Sequence, residues 1–267
     1  MTQTNEIAQH YDSMALVYQL FWGAHLHHGI FSSATTNPRA AQVHLLDFCA
    51  ERLGLRAGSR RALDVGCGHG GTMFYLASNW GYSVDGITIS SRQAAIIRFK
   101  TRIARFSAGL SVTREDVERA SFPAELYDLV WAMESTEHLF DKRALFANIQ
   151  YTLKTGGQLL LAAWTGSMTK PAVRSVADHF LCPSLLTAEE YADVLTDAGL
   201  NIETTSDLTT HVVRTWDVCQ ERARKLHPLL YFFPREVRSF VNALPIIRSA
   251  YASGDLTYTV MTARKQN

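Results

Sequence analysis

An α/β fold built on a doubly wound, mostly parallel sheet is predicted by three observations. Short apolar runs alternate with longer amphipathic stretches along most of the chain. One run, Gln158 to Trp164, is almost continuously apolar, as befits a strand buried on both faces. A glycine cluster, Gly66 to Gly71, follows the first apolar run directly and opens the first amphipathic stretch. Taken in order, Ala62 to Val65 reads as the first strand, Val84 to Ile89 as the second, Leu110 to Thr113 as the third and Tyr127 to Met133 as the fourth. The helices between them are Thr72 to Trp80, Ser91 to Phe106 and Lys142 to Leu153, the last ended by Gly156-Gly157 before the fifth strand. Thr187 with Glu190 has the pattern of a capping box, opening a helix to Ala198 that Gly199 stops. Asn201 to Thr205 and Leu256 to Thr262 supply two more strands. The segment between them, Leu208 to Tyr251, is helical in pattern and too long for a simple connection. It is expected to cap the carboxyl edge of the sheet.

Composition narrows the function classes. With 267 residues, 47% hydrophobic and 19% charged, and only 7 prolines, the chain is neither disordered nor collagen-like. No linker or repeat divides it, so residues 1–267 read as one domain: 1–55 ahead of the sheet, 56–166 as its core, and 167–267 as the remainder with the cap. Lys and Arg number 26 against 25 Asp and Glu, which gives no general positive field for nucleic acid. Cys49, Cys67, Cys182 and Cys219 form no CxxC pair and suit a reducing compartment. The first residues show no secretory pattern, and no apolar stretch is long enough to span a bilayer, so a cytoplasmic location is expected.

The segment Asp64-Val65-Gly66-Cys67-Gly68-His69-Gly70-Gly71 joins a strand to a helix, where glycines let the backbone turn tightly and approach a ligand. Gly66, Gly68 and Gly71 also satisfy GxGxxG, with Asp85 downstream, so a nicotinamide-dependent oxidoreductase is an alternative. Two details oppose it. Asp64 at the strand end would repel a pyrophosphate and attract an ammonium. Asp85 falls within the second strand, whereas an acid meeting a ribose stands at a strand's carboxyl end. A nucleoside-like ligand with a cationic end, such as S-adenosylmethionine, fits better.

The sequence here resembles the class I S-adenosylmethionine-dependent methyltransferases, whose sheet is Rossmann-like. It is most similar to the branch holding tocopherol-type methyltransferases, sterol and isoprenoid C-methyltransferases and natural-product O-methyltransferases. The resemblance rests on Leu63 to Gly71, on Gly86-Ile87-Thr88-Ile89-Ser90 with Gln93, on Asp116, and on Met133-Glu134-Ser135-Thr136-Glu137-His138. It implies that Gly66 and Gly68, with Cys67 between them, line the methionine part of the cofactor and that Asp64 faces its ammonium. Thr88, Ile89 and Gln93 would serve the ribose, since the acid usual at the position of Thr88 is replaced. Asp116 would meet the adenine amino group, Val117 the ring, and Met133 would hold the cofactor from the fourth strand. The resemblance also makes the N-terminal stretch a helical lid folded over the cofactor, through Tyr11-Asp12, Tyr18, Trp22-Gly23 and Leu26-His27-His28-Gly29, and implies that Tyr11, Tyr18 and, beyond the fourth strand, His138 meet the cofactor.

Candidate chemistry gathers in two places. Glu134, Glu137 and His138 follow the fourth strand, and a helical turn there would put Glu134 and His138 on one face. The second is His25, His27 and His28, where an imidazole of ordinary pKa near 6.5 suits a proton acceptor. No Cys or His pair at zinc spacing accompanies them, so no metal is expected. Cys67 has no adjacent base and reads as a small apolar filler, and packing is the plainer role for Trp22. The cap carries His211, Arg214, Trp216, Tyr231, Phe232, Phe233, Arg235, Arg238 and Phe240, suiting an apolar pocket with an anionic handle or a face resting on a membrane. The expected activity is methyl transfer to a small apolar or aromatic, isoprenoid-type acceptor of secondary or lipid metabolism, with carbon slightly ahead of oxygen. At a carbon, Glu134 would remove the proton from a carbocation; at a hydroxyl, His28 or His138 would take it. A non-catalytic cofactor-binding protein is the other alternative.

Overall fold

The side chains of adjacent residues on the central strands go to opposite sides, and both sides are apolar. Leu129, Trp131 and Met133 join one buried cluster with Leu160, Ala162 and Trp164, while Val130 and Ala132 join another with Leu159, Leu161 and Ala163. A sheet apolar on both faces must be covered on both, as expected for a doubly wound fold. The computed structural model describes residues 3–104, 109–226 and 233–266. Its seven strands are β1 (Arg61–Val65), β2 (Ser83–Thr88), β3 (Leu110–Arg114), β4 (Tyr127–Met133), β5 (Leu153–Thr165), β6 (Leu200–Asp207) and β7 (Thr257–Lys265). They lie in the order β3-β2-β1-β4-β5-β7-β6, with β7 antiparallel to both neighbours. The order reverses between β1 and β4, which opens a crevice at their carboxyl ends.

Helices α1 (Gln3–Phe21) and α2 (Pro38–Arg52) precede the sheet. Then come α3 (Gly71–Trp80), α4 (Ser91–Ile103), α5 (Lys142–Thr152), α6 (Pro171–His179) and α7 (Ala188–Asp197). The long segment before β7 holds α8 (Thr209–Val212), α9 (Arg214–Leu226) and α10 (Arg235–Ala252). The helix expected to reach Phe106 is described as far as Ile103; Phe106, with Tyr231 and Phe232 of the cap, lies outside the described residues. The chain leaves α5 at Thr152, earlier than Gly156-Gly157 implied, because Leu153 already pairs with Tyr127.

Two local devices fix helix starts. The capping box at α7 is present: the Thr187 hydroxyl accepts from Glu190 N–H, and the Glu190 carboxylate accepts from Thr187 N–H. Thr187→Ala should therefore cost about 1 kcal/mol, read as a lowered midpoint of thermal unfolding. At α4, Asp12 of α1 accepts from Ser90 Oγ, Ser91 Oγ and Arg92 N–H, so a carboxylate from the N-terminal helix sits on the positive end of this one. Burial opposes ionisation of Asp12, but these bonds prevail and hold its pKa low. That contact clips α1 beside the crevice.

Candidate active site

The glycine loop leaves β1 at the crevice. The N–H groups of Gly66 and Cys67 both donate to the Ile87 carbonyl, at 3.0 Å each, which ties the loop to β2. Gly66 has φ +70°, and a Cβ there would collide with Ser135 beyond β4, so only glycine suits both the backbone and the space. Beside the loop lies a cleft that runs from the end of β1 past the ends of β2 and β4, the crevice where ligands sit in open α/β sheets.

Nearly all the residues expected to meet a cofactor line this cleft: Asp64, Gly66, Cys67 and Gly68 from the loop, Thr88, Ile89 and Gln93 from the end of β2 and the start of α4, and Asp116 and Val117 after β3. Met133, Glu134 and His138 line it beyond β4, and Tyr11 reaches it from α1. The fit to S-adenosylmethionine is testable at Asp64. Its Oδ2 is buried without a hydrogen-bond partner, and burial pushes its carboxyl up to about 8. A buried carboxyl in that condition is matched by a ligand cation, as an amino-acid ammonium would supply. Thr88 Oγ1 donates to Gln93 Oε1 at 2.7 Å, which fixes the Gln93 amide beside the cleft.

Tyr18, expected at the cofactor, is not among the residues that line this cleft. It lies seven residues, about two helical turns, beyond Tyr11 on α1 and lines a second, neighbouring cavity. Aromatic rings wall that cavity: Tyr18, Trp22, Trp164, Phe180, Trp216 and Phe240, set mostly edge to face at 5.4–6.3 Å. Tyr11, Leu26, Glu134 and His138 line both cavities and form the boundary between them. Tyr11 and His138 are hydrogen bonded across it. His138 Nδ1 donates to the Leu181 carbonyl (3.3 Å), so its Nε2 accepts from the Tyr11 hydroxyl at 2.7 Å. Burial lowers the His138 pKa to about 4, which keeps the ring neutral.

Glu134 is the hub. It follows β4 with φ +50°, a left-handed backbone that is uncommon outside glycine. The expected single helical face with His138 is therefore absent, since only Thr136–His138 form a short 3-10 turn. The strained turn carries the carboxylate to the N-terminal strap. Oε1 accepts from His28 N–H (2.7 Å) and the Tyr258 hydroxyl (2.8 Å); Oε2 accepts from His28 Nδ1 (2.8 Å) and the Trp164 indole N–H (3.3 Å). Burial alone would raise the Glu134 pKa, but its electrostatic pairing and hydrogen bonds with His28 outweigh it and the net shift is downward. With four donors around two oxygens, the carboxylate is fully engaged. His28 Nε2 is left buried and unpartnered on a residue that lines the aromatic cavity.

The other candidates are dispersed, some lining a cavity and some outside both. Glu137 accepts from Trp164 N–H (2.8 Å), and burial raises its carboxyl to about 8, so it braces the turn against β5. His25 and His27 line the first cleft; burial lowers both, His25 to about 3. Among the described residues no group of three or more His, Cys, Asp or Glu side chains is placed to hold a metal. Cys67 is buried, with its thiol raised by burial. Of the cap residues singled out, Trp216 and Phe240 reach the aromatic cavity, while Arg214 lies over the Phe31 ring. Trp164 and Tyr258, absent from the expected set, pair across β5 and β7 and meet at Glu134. Asp85 is held within β2 by Arg61, Ser111 and Tyr127 and does not line the cleft.

Comparison with known proteins agrees with this geometry. The chain is 29% identical over 269 residues to the 27-O-demethylrifamycin SV methyltransferase of Amycolatopsis mediterranei, covering 98% of this chain and 97% of that one. It is 26% identical over 281 residues to a probable chloroplastic tocopherol O-methyltransferase of Oryza sativa subsp. japonica, covering 97% and 77%. Among solved structures, the [4+2]-cyclase SpnF superposes with a TM-score of 0.86 at 24% identity, over 98% of this chain and 96% of that one, a likeness of fold alone. The profile of the mycolic acid cyclopropane synthetase family matches residues 1–236. The oxidoreductase alternative finds no support in these relatives or in the placement of Asp85. The chain belongs to the mycolic acid cyclopropane synthetase family and is an S-adenosylmethionine-dependent methyltransferase.

Proposed function

We propose that the enzyme methylates a hydroxyl of an apolar, aromatic or isoprenoid-derived small molecule, with His28 as the proton acceptor. The observation that carries this reading is the unpartnered Nε2 of His28, set in an aromatic cavity while Nδ1 is held by a carboxylate. S-adenosylmethionine supplies an electrophilic methyl group. Asp64 fixes the ammonium end of that ligand, and the glycine loop and Asp116 fix the rest. The acceptor lies among Trp22, Trp164, Phe180, Trp216 and Phe240, beyond the boundary residues Tyr11, Leu26, Glu134 and His138. Holding donor and acceptor in line there supplies much of the rate. His28 Nε2 takes the hydroxyl proton, and Glu134 fixes the tautomer and stabilises the imidazolium that forms. Two relatives, whose names describe O-methyl transfer to rifamycin-type and tocopherol acceptors, support an oxygen target. We place the enzyme in the cytoplasm, with α1 and the strap after it as lid and α8 to α10 as cap; its four cysteines are all free.

Carbon methylation is the second reading, favoured by the aromatic faces that would stabilise a carbocation. In that case too His28 would remove the proton, since every position on the Glu134 carboxylate is filled. Methyl-labelled cofactor offered with naphthols, hydroquinones and a prenyl diphosphate separates the two. The expected product carries an O–CH₃ group; a C–CH₃ product from the prenyl substrate alone would reject the hydroxyl reading.

A further inference from the structure

Helix α4 carries charge and apolar surface that the active site does not use. The stretch from Gly86 to Arg114 holds six of the 26 Lys and Arg and none of the 25 Asp and Glu of a chain with net charge +1. Within it Phe99 and Ile103, one turn apart on α4, are each 65% exposed, more than the other large apolar side chains exposed among the described residues. Arg92, Ala95, Arg98 and Arg102 are exposed around them. None of these arginines forms a salt bridge among the described residues: Arg98 touches only the Val112 carbonyl, and the nearby acid, Asp12, is bound to Ser90, Ser91 and Arg92 N–H. Lys100 is different, since its ammonium is turned inward onto the His69 carbonyl of the glycine loop.

We propose that this face of α4 docks the enzyme on an anionic lipid surface, with Phe99 and Ile103 entering the interfacial region and Arg92, Arg98 and Arg102 meeting lipid phosphates. Exposed apolar side chains cost free energy in water, and burying two of them in a bilayer interface recovers it. Each arginine near a negatively charged surface adds about 1 kcal/mol. A protein partner would need acidic side chains complementary to the same strip; the lipid reading satisfies both features with one occupant. Among the described residues no helix is long and apolar enough to cross a membrane, so the contact is peripheral. The proposal stands on α4 alone and does not depend on the acceptor.

The test is co-sedimentation of the full chain with vesicles of phosphatidylcholine, with or without about 30% phosphatidylglycerol. Binding is expected to the anionic vesicles at low salt and to fall as salt rises. The pair F99S/I103S, and separately R98E/R102E, should weaken it at least about tenfold. Unchanged affinity for S-adenosylhomocysteine shows that the variants are folded. No binding to anionic vesicles, equal binding to neutral ones, or equal binding by the variants would overturn the proposal. So would a dimer of the wild-type chain in sedimentation that F99S/I103S converts to monomer, which would make the occupant a second copy.

Discussion

His28→Ala is expected to lower kcat by about 10²- to 10⁴-fold, the span removed with a general base, while leaving the affinity for S-adenosylhomocysteine close to that of wild type. The division follows from the geometry. His28 lines the aromatic cavity and is absent from the lining of the cofactor cleft, so its ring serves the acceptor side. Its orientation is over-determined: the backbone N–H and Nδ1 both bond to one carboxylate, and the rings of Trp164, Trp216 and Tyr258 pack around it. Glu134→Gln should do less damage to turnover than His28→Ala. With its oxygen in the place of Oε2 an amide can still accept from Nδ1 and from Trp164, but its NH₂ must then face the donors Tyr258 and His28 N–H. Steady-state kinetics beside calorimetric titration distinguishes the roles. Equal losses of turnover and cofactor affinity would remove His28 from the acceptor side. Turnover indifferent to both substitutions would favour a cofactor-binding protein without this chemistry.

Asp64→Asn should weaken S-adenosylmethionine binding about 10- to 100-fold, the worth of a hydrogen bond to a charged group. The wild-type protein should also show a pH signature that the variant lacks. With its carboxyl raised to about 8 by burial, Asp64 carries a proton at neutral pH when no ligand is bound. Pairing with an ammonium requires the carboxylate, so binding expels that proton. Affinity should therefore fall by about tenfold for each pH unit below 8, and the apparent binding enthalpy at pH 7 should vary with the ionisation heat of the buffer. Buffer-independent enthalpy in the wild type would mean that Asp64 does not titrate with the ligand.

Much of the frame was legible because local rules dictate it. The alternation along Tyr127 to Met133 and Gln158 to Trp164 specifies two buried faces, and the Thr187–Glu190 box is a contact over three residues. The glycine loop announces its ligand because close approach can be made only without side chains. The acceptor side was less legible. His28 and Glu134 are 106 positions apart, and nothing in their spacing says that they touch. Trp164 and Tyr258 become neighbours only through the antiparallel register of β5 and β7. A left-handed residue at Glu134 cannot be read from a glutamate, which is why a helical face with His138 was the natural expectation. Tyr18 shares a helix with Tyr11, but two turns along α1 carry it past the boundary between the cavities.

The aromatic wall has an optical consequence. Three of the five tryptophans, Trp22, Trp164 and Trp216, line the same cavity, and the indole N–H of Trp164 points at the Glu134 carboxylate. A molecule entering there changes the surroundings of three emitting rings at once and alters the charge distribution beside one of them. The protein thus carries its own fluorescent reporter of acceptor occupancy, separate from the cofactor cleft, and candidate acceptors can be ranked by emission before any turnover is detectable.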